Sequence, residues 1–193
     1  MKSITTVFGL MLLGALTASA IDADFTINVV PAAVFIDFNS SDFSVTTATS
    51  QTKPSSIYSM PSVNAGVGID TDFGFIDITG GTGIIFTDAL RSITLQGDVS
   101  LQFQAARSLT IGPHLGVVYF VNPSWTGAGD LDFDQAAGFV GGLRACMGDK
   151  ITYTVAIDML STSFDTVPGT GIETSSSLDI TAVGIQFGVR GEF

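Results

Sequence analysis

Between residues 92 and 106 the chain reads SITLQGDVSLQFQAA, with an apolar or small residue at every second position. Leu95, Gly97, Val99, Leu101, Phe103 and Ala105 fall on one face, and Gln96, Asp98, Ser100, Gln102 and Gln104 on the other. A period of two marks a β-strand with unlike faces. The pattern returns over 109–121, where Leu109, Ile111, Pro113, Leu115, Val117, Tyr119 and Val121 oppose Thr110, Gly112, His114 and Gly116. It returns over 150–160, with Ile151, Tyr153, Val155, Ile157 and Met159 against Thr152, Thr154, Ala156 and Asp158, and over 62–70. Residues 73–86, 135–147 and 23–37 follow it less cleanly. The last of these loses its phase near Pro31, which predicts a bulge, because a bulge adds one unpaired residue to a strand. A run over about 177–193, with Val183, Ile185, Phe187 and Val189 alternating, completes eight strands.

The connections alternate in length. Short ones fall at 71–73, 107–108 and 148–149; long ones at about 38–61, 87–91, 122–134 and 161–176, rich in Ser, Thr, Asp and Gly. In an up-and-down meander, alternate connections lie at opposite ends. All short turns and both termini are therefore expected at one end and all long loops at the other.

Composition then decides what surrounds these strands. Residues 1–20 read as a secretory signal to be removed: Lys2, the apolar run Val7 to Leu16, and the small-x-small site Ala18-Ser19-Ala20. That apolar run is too short to span a bilayer as a helix, and no Cys follows it to take a lipid anchor. Residues 21–193 form one expected domain. The chain is 46% hydrophobic and 13% charged, which excludes disorder and is too apolar for an ordinary soluble domain. Yet no later stretch of about 18 apolar residues offers a spanning helix. An exported, apolar chain without such a helix points to a closed barrel, since lipid tolerates no open sheet edge. A formal net charge of −11 argues against nucleic acid, whose phosphates demand Lys and Arg.

The expected fold is all-β: an eight-stranded antiparallel up-and-down transmembrane β-barrel, with large apolar residues outward and Gly-rich polar faces inward. Aromatic residues should mark the two interfaces, with Phe25, Phe73, Phe187 and Phe193 at the short-turn end, Phe86 and Tyr119 at the other, and Trp125 in a loop. On its signal peptide, strand count, loop asymmetry and terminal VGIQFGVRGEF, the chain resembles the small eight-stranded outer-membrane β-barrels of the OmpA/OmpX type. The resemblance implies the outer membrane of a Gram-negative cell envelope, with short periplasmic turns and extracellular loops. It also implies contact with outer-membrane lipid and lipopolysaccharide, and insertion by the barrel assembly machinery, which reads the last strand. Phe193, Phe187 and Val189 would carry that signal. Family members usually place an aromatic or large apolar residue two positions before the end, where this chain has Gly191. No peptidoglycan-binding domain is expected after the barrel.

The polar face holds the candidate chemistry. Arg144, Arg190, Asp77, Asp98, Asp158, Asp179, Glu192 and His114 are assigned to the lumen by parity. Buried charges need partners, and eight strands enclose little space, so these groups are expected to pair and plug the interior. Gly66, Gly68, Gly112, Gly116 and Gly142 could instead leave a narrow porin-like path for ions or small solutes. A role as accessory subunit of a larger envelope complex is a further alternative. Catalysis is not expected: His114 is the single His, and GPHLGV has no Ser two residues on, as the lipid A deacylases have. No cofactor is expected. Asp130, Asp132 and Asp134 resemble the start of a calcium loop, but the later bidentate acid is missing, with Gly141 at that position. A solvated acidic loop, able at most to hold divalent cations weakly, is the better reading. Cys146 is a lone thiol, expected buried and inert. The leading function is structural or surface-interacting, with a plugged barrel anchoring four extracellular loops.

Overall fold

A computed structural model describes residues 23–38, 43–72 and 74–193. Residues 1–20, read from sequence as a signal peptide, and Phe73 lie outside the described residues. Eight long strands dominate: β1 (Ala23–Asp37), β2 (Ser62–Thr71), β3 (Gly74–Phe86), β4 (Leu90–Ala106), β5 (Leu109–Trp125), β6 (Ala136–Gly148), β7 (Ile151–Pro168) and β8 (Ser177–Glu192). Each pairs antiparallel with the next, from β1–β2 through to β7–β8. β1 also pairs along its length with β8, so the ring closes and neither strand is left with a bare edge. Beyond the ladder, the Phe25 N–H donates to the Phe193 carbonyl at 3.2 Å, and the Phe193 N–H donates back to Phe25 at 2.9 Å.

The alternation sorts the two faces as the sequence predicts. The outer wall is apolar, with Leu115 65%, Phe139 64%, Ile151 66% and Ile157 60% exposed. Their neighbours Thr26, His114, Thr152, Thr154, Asp158 and Arg190 point inward and are buried. The bulge near Pro31 is present: β1 shifts register against β8 between Val29 and Ala32, and Pro31 and Ala32 are both exposed. Val30 faces inward before the bulge, and Ala33 and Phe35 resume the inward phase after it.

The strands run further than the apolar alternation does. On β7, Ser161, Ser163 and Asp165 continue the outward row above Met159, while Leu160 and Phe164 face in. On β8, Asp179 is exposed whereas Leu178, Ile180 and Ala182 are buried. The period of two is unbroken, but the greasy face has switched from outside to inside. Those polar outward positions make the upper strands read as loop. Three of the four long loops consequently shrink: the second spans only residues 87–89, between β3 and β4.

The upper interior is a hydrophobic core. Phe35, Ile85, Leu90, Val118, Phe120, Leu160, Phe164, Leu178 and Ile180 from the barrel walls pack there. The first loop folds across this core and adds Phe43, Val45, Tyr58 and Met60. Its short segments Val45–Thr46 and Gln51–Thr52 form a three-stranded sheet with Glu173–Thr174 of the last loop. Two loops that are far apart in sequence thus close the mouth together.

Candidate functional site

The lower half of the lumen is polar and built as two clusters. In the first, His114 on β5 stands between two carboxylates, with Nδ1 2.8 Å from Asp98 Oδ2 and Nε2 2.5 Å from Asp158 Oδ1. Arg144 on β6 donates from Nη1 to Asp98 Oδ1 at 2.9 Å and places Nη2 3.1 Å from His114 Nδ1. Gln186 on β8 donates to the other oxygen of Asp158 at 2.5 Å. With Nε2 protonated, His114 donates to Asp158; Nδ1 then accepts from Arg144 or, when protonated too, donates to Asp98. The ring is satisfied in either state. This one cluster ties β4, β5, β6, β7 and β8 together across the lumen.

The second cluster lies nearer the short-turn end. Arg190 on β8 grips Asp77 on β3 with a bidentate fork, Nε to Oδ2 and Nη2 to Oδ1, both at 2.7 Å. Its Nη1 also donates to Glu192. The guanidinium carbon sits 4.6 Å from the centroid of the Phe75 ring, a cation–π arrangement that covers its remaining face. A planar fork on a carboxylate suits Arg and not Lys. A Cβ added at Gly68 would lie 2.7 Å from Arg190 Nη2, and one at Gly142 2.6 Å from Asp158 Oδ1. These two glycines, read from sequence as possible walls of a path, give up their space to charged side chains.

Arg144, Arg190, Asp77, Asp98, Asp158, His114 and Glu192 therefore all meet as partners, in two groups. Asp179 does not join them. It belongs to the outward row of upper β8 and accepts from Ser163 at 2.5 Å. Parity assigned it inward wrongly, because Asp179 and Arg190 differ by an odd number of positions. A residual cavity of about 20 Å³ is left between Asn28, Asn64, Gln96, Asp98, His114 and Arg144, enough for about one water.

Above the polar clusters the plug is apolar, which the sequence reading missed. Phe120 and Phe164 meet edge-on at 5.0 Å between centroids, Phe164 meets Phe133 at 5.9 Å, and Phe133 meets Phe43 at 6.2 Å. Trp125, expected in an open loop, ends β5 and stacks into this cap, 6.0 Å from Phe43 and 6.3 Å from Phe133. The sequence signal for the cap was the continued alternation with inverted polarity, in Leu160-x-x-x-Phe164 and Leu178-x-Ile180-x-Ala182.

The remaining candidates fall elsewhere. Leu131 and Phe133 face inward on a short strand, so Asp130, Asp132 and Asp134 are exposed on the opposite side. Among the described residues no group of three acidic, His or Cys side chains is placed to hold a metal. Cys146 is buried in the lumen, with Sγ 3.9 Å from Gln102 Oε1. Ser100, the cross-strand neighbour of His114, makes no hydrogen bond to the ring; both ring nitrogens face charged partners. Phe25, Phe187, Phe86 and Tyr119 are exposed on the outer wall as expected, and Phe103 and Tyr153 join them. Phe193 is 76% exposed, and a Cβ at Gly191 would lie 3.2 Å from its ring. The aromatic ring packs against Gly191.

A closed ring of strands with an apolar outer wall meets the requirement for crossing lipid without an unpaired backbone group. The chain folds as a transmembrane β-barrel. Its strands of 10 to 18 residues match or exceed the roughly 9–11 needed to cross. No protein-family model matches the chain, and no curated protein matches it. Among solved structures it is similar to the outer membrane protein OprG from Pseudomonas aeruginosa, at 13% identity over 87% of this chain and 95% of that one, with a TM-score of 0.49. It is also similar to the outer membrane protein AlkL in lipid bilayers (12% identity, 89% and 90% covered, TM-score 0.48). A major outer membrane protein from Thermus thermophilus gives 14% identity, 89% and 100% covered, and a TM-score of 0.46.

Proposed function

We propose that the chain is an outer-membrane barrel with an occluded lumen, serving as a structural or surface-interaction protein that displays its upper strands and loops. The observation that carries this reading is the filling of the interior. Ion-paired side chains occupy its lower half and an aromatic core its upper half, with room for about one water between them. A channel needs a continuous wet path, and the loop-built cap of Phe43, Val45, Tyr58 and Met60 supports the occluded reading over that one. The two carboxylates on His114 likewise favour a packing role over a catalytic one, since a general base needs a free nitrogen aimed at a nucleophile. The inversion of outward polarity on β7 and β8 supports a rim standing above the lipid, with Ser161, Ser163, Asp165 and Asp179 in water.

Planar-bilayer recording tests this. Wild-type protein is expected to insert and give no stable conductance steps. Large, persistent steps from the inserted wild type would contradict the occluded lumen. For the surface role, the first loop should not be deleted, and its Phe43, Val45, Tyr58 and Met60 should be kept, because they belong to the plug. Substitutions confined to the exposed tips at 48–50 and at Thr170 probe recognition without opening the barrel. Unchanged binding of cell-surface partners after both tips are altered would argue against a recognition role for the loops.

A further inference from the structure

The outer wall is not smooth. Where β4 and β5 approach the loop end, Ile93 pairs with Val121 but Arg91 pairs with Ser124, so β5 carries one extra residue. Asn122 takes a left-handed backbone, φ 49°, and Pro123 has no N–H to give to the ladder. Beside this bulge a dent of about 350 Å³ opens on the wall, lined by Ile84, Phe86, Arg91, Ile93, Asn122 and Ser124. That volume lies in the range of small-ligand sites, roughly 300–1,000 Å³. Ile84, Phe86 and Ile93 are exposed apolar residues of the outer wall.

Arg91 makes the dent more than a greasy hollow. It is the next outward position on β4 after Ile93, about 6.7 Å further along, and is paired across to Phe86. Its guanidinium makes no ion pair among the described residues. The nearby Asp88 is engaged otherwise, accepting from the Ser55 N–H at 2.8 Å and the Thr87 hydroxyl at 2.9 Å. An unpaired cation directly above an apolar hollow, in a chain of net charge −11, is complementary to an amphiphile with an anionic head.

We infer that this dent binds one phosphate-bearing lipid of the outer leaflet, its phosphate on Arg91 and the start of an acyl chain along Ile84, Phe86 and Ile93. Arg holds phosphate oxygens with charge-assisted, forked bonds, and the Asn122 and Ser124 side chains line the same rim. The inference rests on the transmembrane reading above. It is tested by folding wild type, Arg91→Gln, Ile93→Thr and Arg107→Gln into phosphatidylcholine vesicles containing some phosphatidylglycerol. Insertion is checked by protease protection, and retained lipid is counted by native mass spectrometry after gentle extraction. Wild type should carry one phosphatidylglycerol. Arg91→Gln should carry at least tenfold less and Ile93→Thr less than wild type, while Arg107→Gln, at an exposed turn on the opposite end, should match wild type. Inorganic phosphate at millimolar concentration should not displace the lipid. Equal retention by all inserted variants, none by inserted wild type, or displacement by free phosphate would overturn the inference. Failure of wild type to insert at all would instead overturn the membrane reading.

Discussion

Replacing Arg190 with Met is expected to lower the unfolding free energy of the barrel by about 3–5 kcal/mol, because it strands the buried Asp77 carboxylate. Both side chains of this pair are under 5% exposed, and the fork, the Glu192 contact and the Phe75 ring are lost together. The pair itself need not be a net stabiliser; breaking half of it is what costs. The double variant Asp77→Asn with Arg190→Met should therefore regain much of the loss. Arg190→Lys should fall between, keeping the charge but not the planar fork. Urea titration in vesicles, followed by fluorescence of the single Trp125, reads all three. Equal destabilisation by the single and double variants would contradict the pairing argument.

The second large effect concerns the apolar plug. Phe120 is fully buried and touches Phe164 in the chain of rings that leads to the loop-built cap. Phe120→Ala should cost about 3–5 kcal/mol, combining lost burial with the cavity left behind. The control is Phe139→Ala on the outer wall, 64% exposed and replaceable by lipid, which should cost far less. If upper β5 were instead a mobile loop, Phe120→Ala would be nearly neutral in the same titration.

The barrel was legible in the sequence because lipid and lumen impose opposite demands on alternate residues. Leu95 to Phe103 and Ile151 to Met159 show that contrast at full strength. Pro31 even betrayed its bulge, since two successive exposed residues break the phase. The polar clusters were legible as a set, since each charged residue on an inward position must find a partner. Which partner was not, because pairing depends on register: Arg190 meets Asp77 across the lumen and not a neighbour in sequence. The apolar plug stayed hidden for a different reason. Above the apolar belt both the outward and inward demands reverse, so Ser161, Ser163 and Asp165 read as loop, and the inward Phe164 is read as loop with them. Trp125 was misplaced for the same reason, its burial resting on Phe43 and Phe133, which come from two distant segments.

The central claim is that the apolar face of each strand meets lipid while the alternate face is enclosed. Single tryptophans placed in turn at positions 151 to 159, in a Trp125→Phe background, and quenched by brominated lipid tails test it directly. Quenching should alternate, strong at 151, 153, 155, 157 and 159 and weak at 152, 154, 156 and 158. Uniform quenching, none, or the opposite phase would contradict the account.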